Sequence, residues 1–248
     1  MIDLNIEKTK FIAAKNVDIP DSYYRRIKTG IDKLDECIGG GFIEGMTFTL
    51  AGTPGCGKTT FMLQFLDSLS DQGYKTAYIS SEEPVFQLAF TSKRIGIKNV
   101  QLANMNVIES IFEESKKNGF DIIIIDSLPA IISDKGFKKV YLETYLANYI
   151  TMMAKKTGIV VGTILHSTKR GTYKGTTLFP HNVDCNIMLR RDNDKENICE
   201  VEITKNRFGS TGKHLFEITE KGFDFTSKIE DTKESEPNTE TQTQSTYW

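Results

Sequence analysis

Apolar and polar positions come in short alternating blocks through the middle of the chain. Their periods predict a strand over 46–51 and a helix over 59–71. A strand over 75–80 and helices over 85–95 and 107–117 follow. Next come an apolar strand over 120–126, a helix over 141–155 and a buried strand over 158–165. After these the pattern changes. Strands over 183–189, 198–204 and 215–219 follow with little room for helices between them. Strands that alternate with helices imply an α/β fold: a mostly parallel central sheet with helices on its faces. The closely spaced later strands imply an antiparallel extension at one edge. No repeat of solenoid length is visible. The expected organisation is one domain over 25–226, a short N-terminal arm over 1–24 as a possible subunit contact, and a tail over 227–248.

Composition narrows the class. The chain has 248 residues, 39% hydrophobic and 26% charged, enough to bury a core without metals or disulfides. Its apolar stretches are only a few residues long, as at Ile122–Ile125, so no membrane span is expected. The first residues are mixed in charge and lack the apolar core of a secretory signal. Cys37, Cys56, Cys185 and Cys199 form no C-x-x-C pair, which excludes a zinc module and suggests reduced thiols in a cytoplasmic compartment. The net charge of −2 is concentrated in the tail, where two lysines accompany five acids; the rest is close to neutral, so binding of nucleic acid would need local basic clusters. The tail has almost no apolar content before Tyr247 and Trp248 and is expected to be disordered. Those two aromatics suit either a docking tip for a protein partner or an idle chain end.

The sharpest motif is Gly52-Thr53-Pro54-Gly55-Cys56-Gly57-Lys58-Thr59, followed by Thr60, between an expected strand and an expected helix. A triphosphate needs backbone N–H groups turned inward around its oxygens, which glycines permit. Lys58 then reaches the β- and γ-phosphates, Thr59 ligates Mg²⁺, and the helix N-terminus adds its positive end. The expected ligands are therefore ATP and Mg²⁺. Asp126 closes the strand 120–126 at its carboxyl end, where open parallel sheets place ligands, and is the second candidate for holding Mg²⁺. Glu82 and Glu83 follow the strand 75–80 at the same edge; one of them is a candidate general base, and the alternative is a solvated turn before Pro84.

These residues resemble the RecA/RadA/DnaB/KaiC class of ATPases. Thr29-Gly30-Ile31-Asp32-Lys33-Leu34-Asp35 and Gly39-Gly40-Gly41 precede the cradle as in that class. Tyr78-Ile79-Ser80-Ser81-Glu82-Glu83 is similar to the segment carrying the catalytic glutamate, at Glu82. Leu165-His166-Ser167-Thr168-Lys169 resembles another shared segment. Lys205-Asn206-Arg207-Phe208-Gly209 is similar to the signature of bacterial RadA (Sms). The resemblance covers about 25–223. It implies a RecA-like P-loop ATPase core, an oligomer (hexameric ring or filament), and Lys205 with Arg207 reaching a neighbour's nucleotide; the alternative for that pair is a solvated strand face. It also implies single-stranded DNA as partner, met by Lys135, Lys138 and Lys139 after Asp126 and by Lys169, Arg170, Tyr173 and Lys174 after His166, with His166 linking the nucleotide to the second loop. The zinc module and Lon-like domain of full-length RadA are not expected, from the cysteine spacing and the tail. The implied activity is a DNA-stimulated ATPase of recombination and repair, most like a RadA branch-migration helicase. The alternatives are a DnaB-type replicative helicase, a filament-forming strand-exchange recombinase, and a KaiC-like regulatory ATPase without DNA.

Overall fold

The structure is a computed structural model that describes residues 11–167, 178–192, 195 and 197–226. Its elements in chain order are α1 (Asp32–Cys37), β1 (Thr47–Gly52), α2 (Lys58–Asp71), β2 (Thr76–Ser80), α3 (Val85–Ile95), β3 (Gln101–Asn104), α4 (Ile108–Asn118) and β4 (Ile122–Asp126). Then come α5 (Lys139–Thr157), β5 (Val160–His166), the short α6 (Leu178–Asn182), β6 (Cys185–Arg191), β7 (Ile198–Asn206), β8 (Gly212–Thr219) and β9 (Gly222–Asp224). They build one nine-stranded sheet in the order β3-β2-β4-β5-β1-β6-β7-β8-β9. The strands from β3 to β6 run parallel and those from β6 to β9 antiparallel, as the change in spacing implied.

The parallel half is buried on both faces, which explains its continuous apolar runs. On β4, Ile122 and Ile124 enter the core beneath α2, whereas Ile123 and Ile125 enter the core beneath α4 and α5. All four are fully buried, each stabilising by about 1.5–3 kcal/mol relative to exposure. The same alternation divides Val160 and Ile164 from Val161 and Leu165 on β5. Glycines at the C-caps of α3, α4 and α5, in left-handed conformation, return the chain to the sheet.

Elements without a strong pattern were not anticipated. In β3, the outermost residues Gln101 and Asn104 are exposed, and the strand exists because its backbone pairs with β2. Helix α1 is six residues long, and its Asp35 is buried, accepting from the Thr29 amide (2.8 Å) and hydroxyl (2.9 Å). Of the shared motif at 29–35, this pair is therefore a structural clasp. No helix among the described residues is long and apolar enough to cross a membrane.

Candidate nucleotide site

β1 ends at Gly52 and α2 begins at Lys58, so residues 53–57 form the loop. Gly57 has φ +103°, and a Cβ there would also meet the Phe223 ring at 3.2 Å, so glycine is required twice over. Pro54 and Gly55 are exposed at the loop tip, while Cys56 is buried with its sulfur turned back toward Gly52. Burial pushes the Cys56 thiol up; the neighbouring Cys199 thiol, pushed up to about 11 by burial, faces the Cys56 carbonyl (3.9 Å). Cys37, Cys56, Cys185 and Cys199 are all buried, and none is joined in a disulfide. Lys58, 8% exposed, donates to the carbonyls of Gly52 (3.0 Å) and Thr53 (3.0 Å), which aims its ammonium across the mouth of the loop. Thr59 and Thr60 follow in the first turn of α2, half-buried.

Neighbouring strand ends bring the acids to this loop. Asp126 closes β4, and Tyr78 from β2 donates its phenol proton to the Asp126 carboxylate. Burial, followed by the charge of Glu82, holds the Asp126 carboxyl above its usual range, while Tyr78, Lys58 and His166 act in the opposite sense. Glu82 and Glu83 lie just past β2. Ser80 caps them, its hydroxyl oxygen accepting from the amides of Glu82 (3.2 Å) and Glu83 (2.7 Å). Ser127 donates its hydroxyl proton to the Glu82 carboxylate. Burial and then the charges of Asp126 and Glu82 raise Glu83. The Ser81 hydroxyl ties the two strand ends together, donating to Asp126 and Ser127 carbonyls (3.1 and 3.0 Å) and accepting from the Ser127 amide (3.0 Å). Asn104 braces the same turn through the carbonyls of Ser80 (3.2 Å) and Glu83 (3.0 Å).

His166 ends β5 opposite Gly52, and its Nδ1 is buried without a partner among the described residues. Sequence reasoning thus placed Lys58, Thr59, Asp126, Glu82 and His166 at one edge, and the structure brings them together there. It missed Tyr78, Ser80, Ser81, Asn104 and Ser127. The position of Ser127 immediately after Asp126, and the Ser-Ser pair before the glutamates, were the available signals.

The basic residues divide. Lys135 lies over the rings of Tyr145 (5.2 Å) and Tyr149 (5.9 Å), which stack on one another at 5.3 Å on α5. Lys138 is the N-cap of α5 and Lys139 its first residue, so Lys139 belongs to the helix rather than to the expected loop. Lys169, Arg170, Tyr173 and Lys174 lie outside the described residues. Lys205 and Arg207 meet in one corner at the opposite edge of the sheet. Cys185 pairs with both Phe48 and Asn206, so this corner lies four residues below Gly52, about 13 Å along the strand. Lys205 donates to the carbonyls of His181 and Val183 (both 2.7 Å), and Arg207 to Asp184 (3.2 Å). Partial burial, and then the charge of Arg207, lower Lys205. Arg207 lies just beyond the last residue of β7, yet the two cations converge on the segment 181–184.

Residues 27–118 match a family model described as the KaiC ATPase. The DNA repair protein RadA of Aquifex aeolicus is 31% identical over 230 residues, 88% of this chain and 50% of that protein. RadA of Escherichia coli is 32% identical over 205 residues, 79% of this chain and 44% of that one. This chain thus spans about half the length of the curated relatives it matches. Among solved structures, the ATPase domain of G40P superposes with a TM-score of 0.70 at 16% identity, over 79% of this chain and 90% of that one. A KaiC-like protein from Pyrococcus horikoshii gives 0.65 at 25% identity, over 80% and 97%. Sheet order, phosphate loop and acidic strand ends together define an ATPase core of the RecA superfamily. Within that superfamily the core is RadA-like.

Proposed function

We propose that this chain is an ATP-driven motor acting on single-stranded DNA in recombination or repair, with each hydrolytic site completed by a second copy. The observation that carries the reading is the position of Lys205 and Arg207. Both sit at the sheet edge opposite the phosphate loop of their own chain, farther from it than an arginine side chain extends. Charge that develops on a transferring phosphoryl group needs cations beside it, and this pair can supply them only to another chain's nucleotide.

The residues fit ATP. Backbone N–H groups of 53–59 and the α2 N-terminus receive the phosphates, and Lys58 swings from the Gly52 and Thr53 carbonyls to the β- and γ-oxygens. Thr59 and Asp126 are the residues that would hold Mg²⁺, which neutralises phosphate charge when bound. Glu82 orients the attacking water and takes its proton. Arg207 is 48% exposed in its pair with Asp184, so its guanidinium is already part-hydrated and can turn outward. Asp184 keeps part of its bonding afterwards, because its Oδ2 accepts from the Thr47 amide (2.9 Å) and hydroxyl (3.0 Å). Support for DNA comes from Lys135 and the half-buried tyrosine stack beside it, since a cation beside aromatic rings suits phosphates and unstacked bases. The RadA relatives are DNA repair proteins by name.

The test mixes two inactive variants. Lys58→Ala and Arg207→Ala should each lose about 10³-fold in ATP turnover. Mixed, they form some junctions with an intact loop on one chain and an intact arginine on the other, and turnover should partly return and rise with single-stranded DNA. A mixture as inactive as its components would defeat the two-chain site. Recovery without DNA stimulation would favour a regulatory ATPase instead, a reading the KaiC family match keeps in view.

A further inference from the structure

Asp126, Glu82 and Glu83 crowd one corner of the site, and each carboxylate raises the charge density felt by the others. Carboxylates so placed tend to share a proton or to turn toward the same cation. In this corner each of the two acids with a chemical task has its own hydroxyl donor. Tyr78 donates to Asp126, and Ser127 donates to Glu82.

Both donors are fully buried. The Tyr78 ring belongs to the apolar cluster beneath α2, where a phenylalanine would fill the same space. A buried hydroxyl is unfavourable unless bonded, so its presence is explained by the partner it serves. That partner is Asp126, and the Thr59 hydroxyl also lies against the phenol, so Tyr78 touches both residues that would hold the metal. Ser127 is equally constrained. Its amide is fixed by Ser81 (3.0 Å), which leaves its hydroxyl directed at Glu82.

We propose that the hydroxyls of Tyr78 and Ser127 are positioning groups that assign the two carboxylates to different tasks, Tyr78 turning Asp126 to the metal side and Ser127 turning Glu82 to the attacking water. The proposal rests on the nucleotide-site reading above but not on DNA or on a second chain's arginine. Each hydroxyl acts through its carboxylate and touches no reacting atom.

The two halves predict separable defects, read without DNA on the full chain. Binding of a fluorescent, non-hydrolysable ATP analogue is titrated with Mg²⁺, and basal kcat and KM are measured alongside. Tyr78→Phe should raise the Mg²⁺ concentration needed for half-maximal binding about 10-fold, as loss of an outer-shell partner does. Ser127→Ala should leave that requirement unchanged and lower kcat about 10-fold at constant KM, and Ser127→Thr should restore kcat. Thermal melts of the three variants check that each is folded; Tyr78→Phe keeps the ring and Ser127→Thr keeps the hydroxyl, so a melted alanine variant alone does not end the test. The proposal fails if Tyr78→Phe binds with the wild-type Mg²⁺ requirement, or if Ser127→Ala shifts that requirement rather than kcat. Turnover that survives Lys58→Ala would instead overturn the nucleotide-site reading itself.

Discussion

The two edges of the sheet are built in opposite ways. At the carboxyl edge the phosphate loop is a run of consecutive residues, and the acids join it from strand ends that are neighbours in the sheet. At the opposite edge the five residues 205–209 are held by segments far away in sequence. Arg26 donates to the Phe208 carbonyl (3.1 Å) across 182 residues, and Asn206 donates to the Ile38 carbonyl (3.2 Å). Gly39 packs so closely on Gly209 that a Cβ on Gly39 would stand 2.7 Å from the Gly209 Cα. The pentapeptide therefore has two functions: Lys205 and Arg207 project toward 180–184, while Asn206, Phe208 and Gly209 join the strand to the segment 26–39. On the proposed reading, a motif similar to one family signature is half chemistry and half joint.

That contrast can be broken by mutation. The largest effect belongs to the carboxyl edge, where Glu82→Gln should lower ATP turnover by about 10²–10⁴-fold while nucleotide still binds, measured by steady-state kinetics beside a binding titration. Next comes the joint. Gly39→Ala forces a side chain into a left-handed backbone and onto Gly209, so it should cost about 1–3 kcal/mol in chemical denaturation and, by shifting Arg207, weaken turnover in the assembled protein. Unaltered stability would mean that the two segments are not clamped.

A smaller effect is expected on α5. Tyr145→Ala removes the ring under Lys135 and should weaken single-stranded DNA binding by about 1–3 kcal/mol in a fluorescence-anisotropy titration. The smallest concerns charge. The Asp126 carboxyl sits above its usual range in the folded chain, so the folded state binds more protons than the unfolded one in that window. This contribution destabilises as pH rises through the window and is relieved below it. Asp126→Asn should accordingly raise the melting temperature slightly at neutral pH and flatten that part of the pH dependence.

Legibility followed the range of the interactions. Helix α3 was placed at its observed bounds, and β4 within two residues, because apolar periodicity reports burial on one or both faces. The edge strand β3 and the short α1 and β9 carried no such signal, since pairing and a buried Thr29–Asp35 clasp stabilise them. In the site, residue types with few other uses (Gly-Lys-Thr in a loop, an acid ending an isoleucine strand) were readable. Tyr78 looked like an ordinary strand residue and Ser127 was marked only by following Asp126; their hydrogen bonds to Asp126 and Glu82 set them apart.

The sequence by itself determined the α/β order of elements, the phosphate loop and the identity of the charged groups, because each depends on residues adjacent in the chain or on a short period. Tertiary structure alone decided that Lys205 and Arg207 lie across the sheet from Lys58. An antiparallel strand returning beside β6 reverses the direction of the chain, and reversal carries its end to the edge opposite the phosphates.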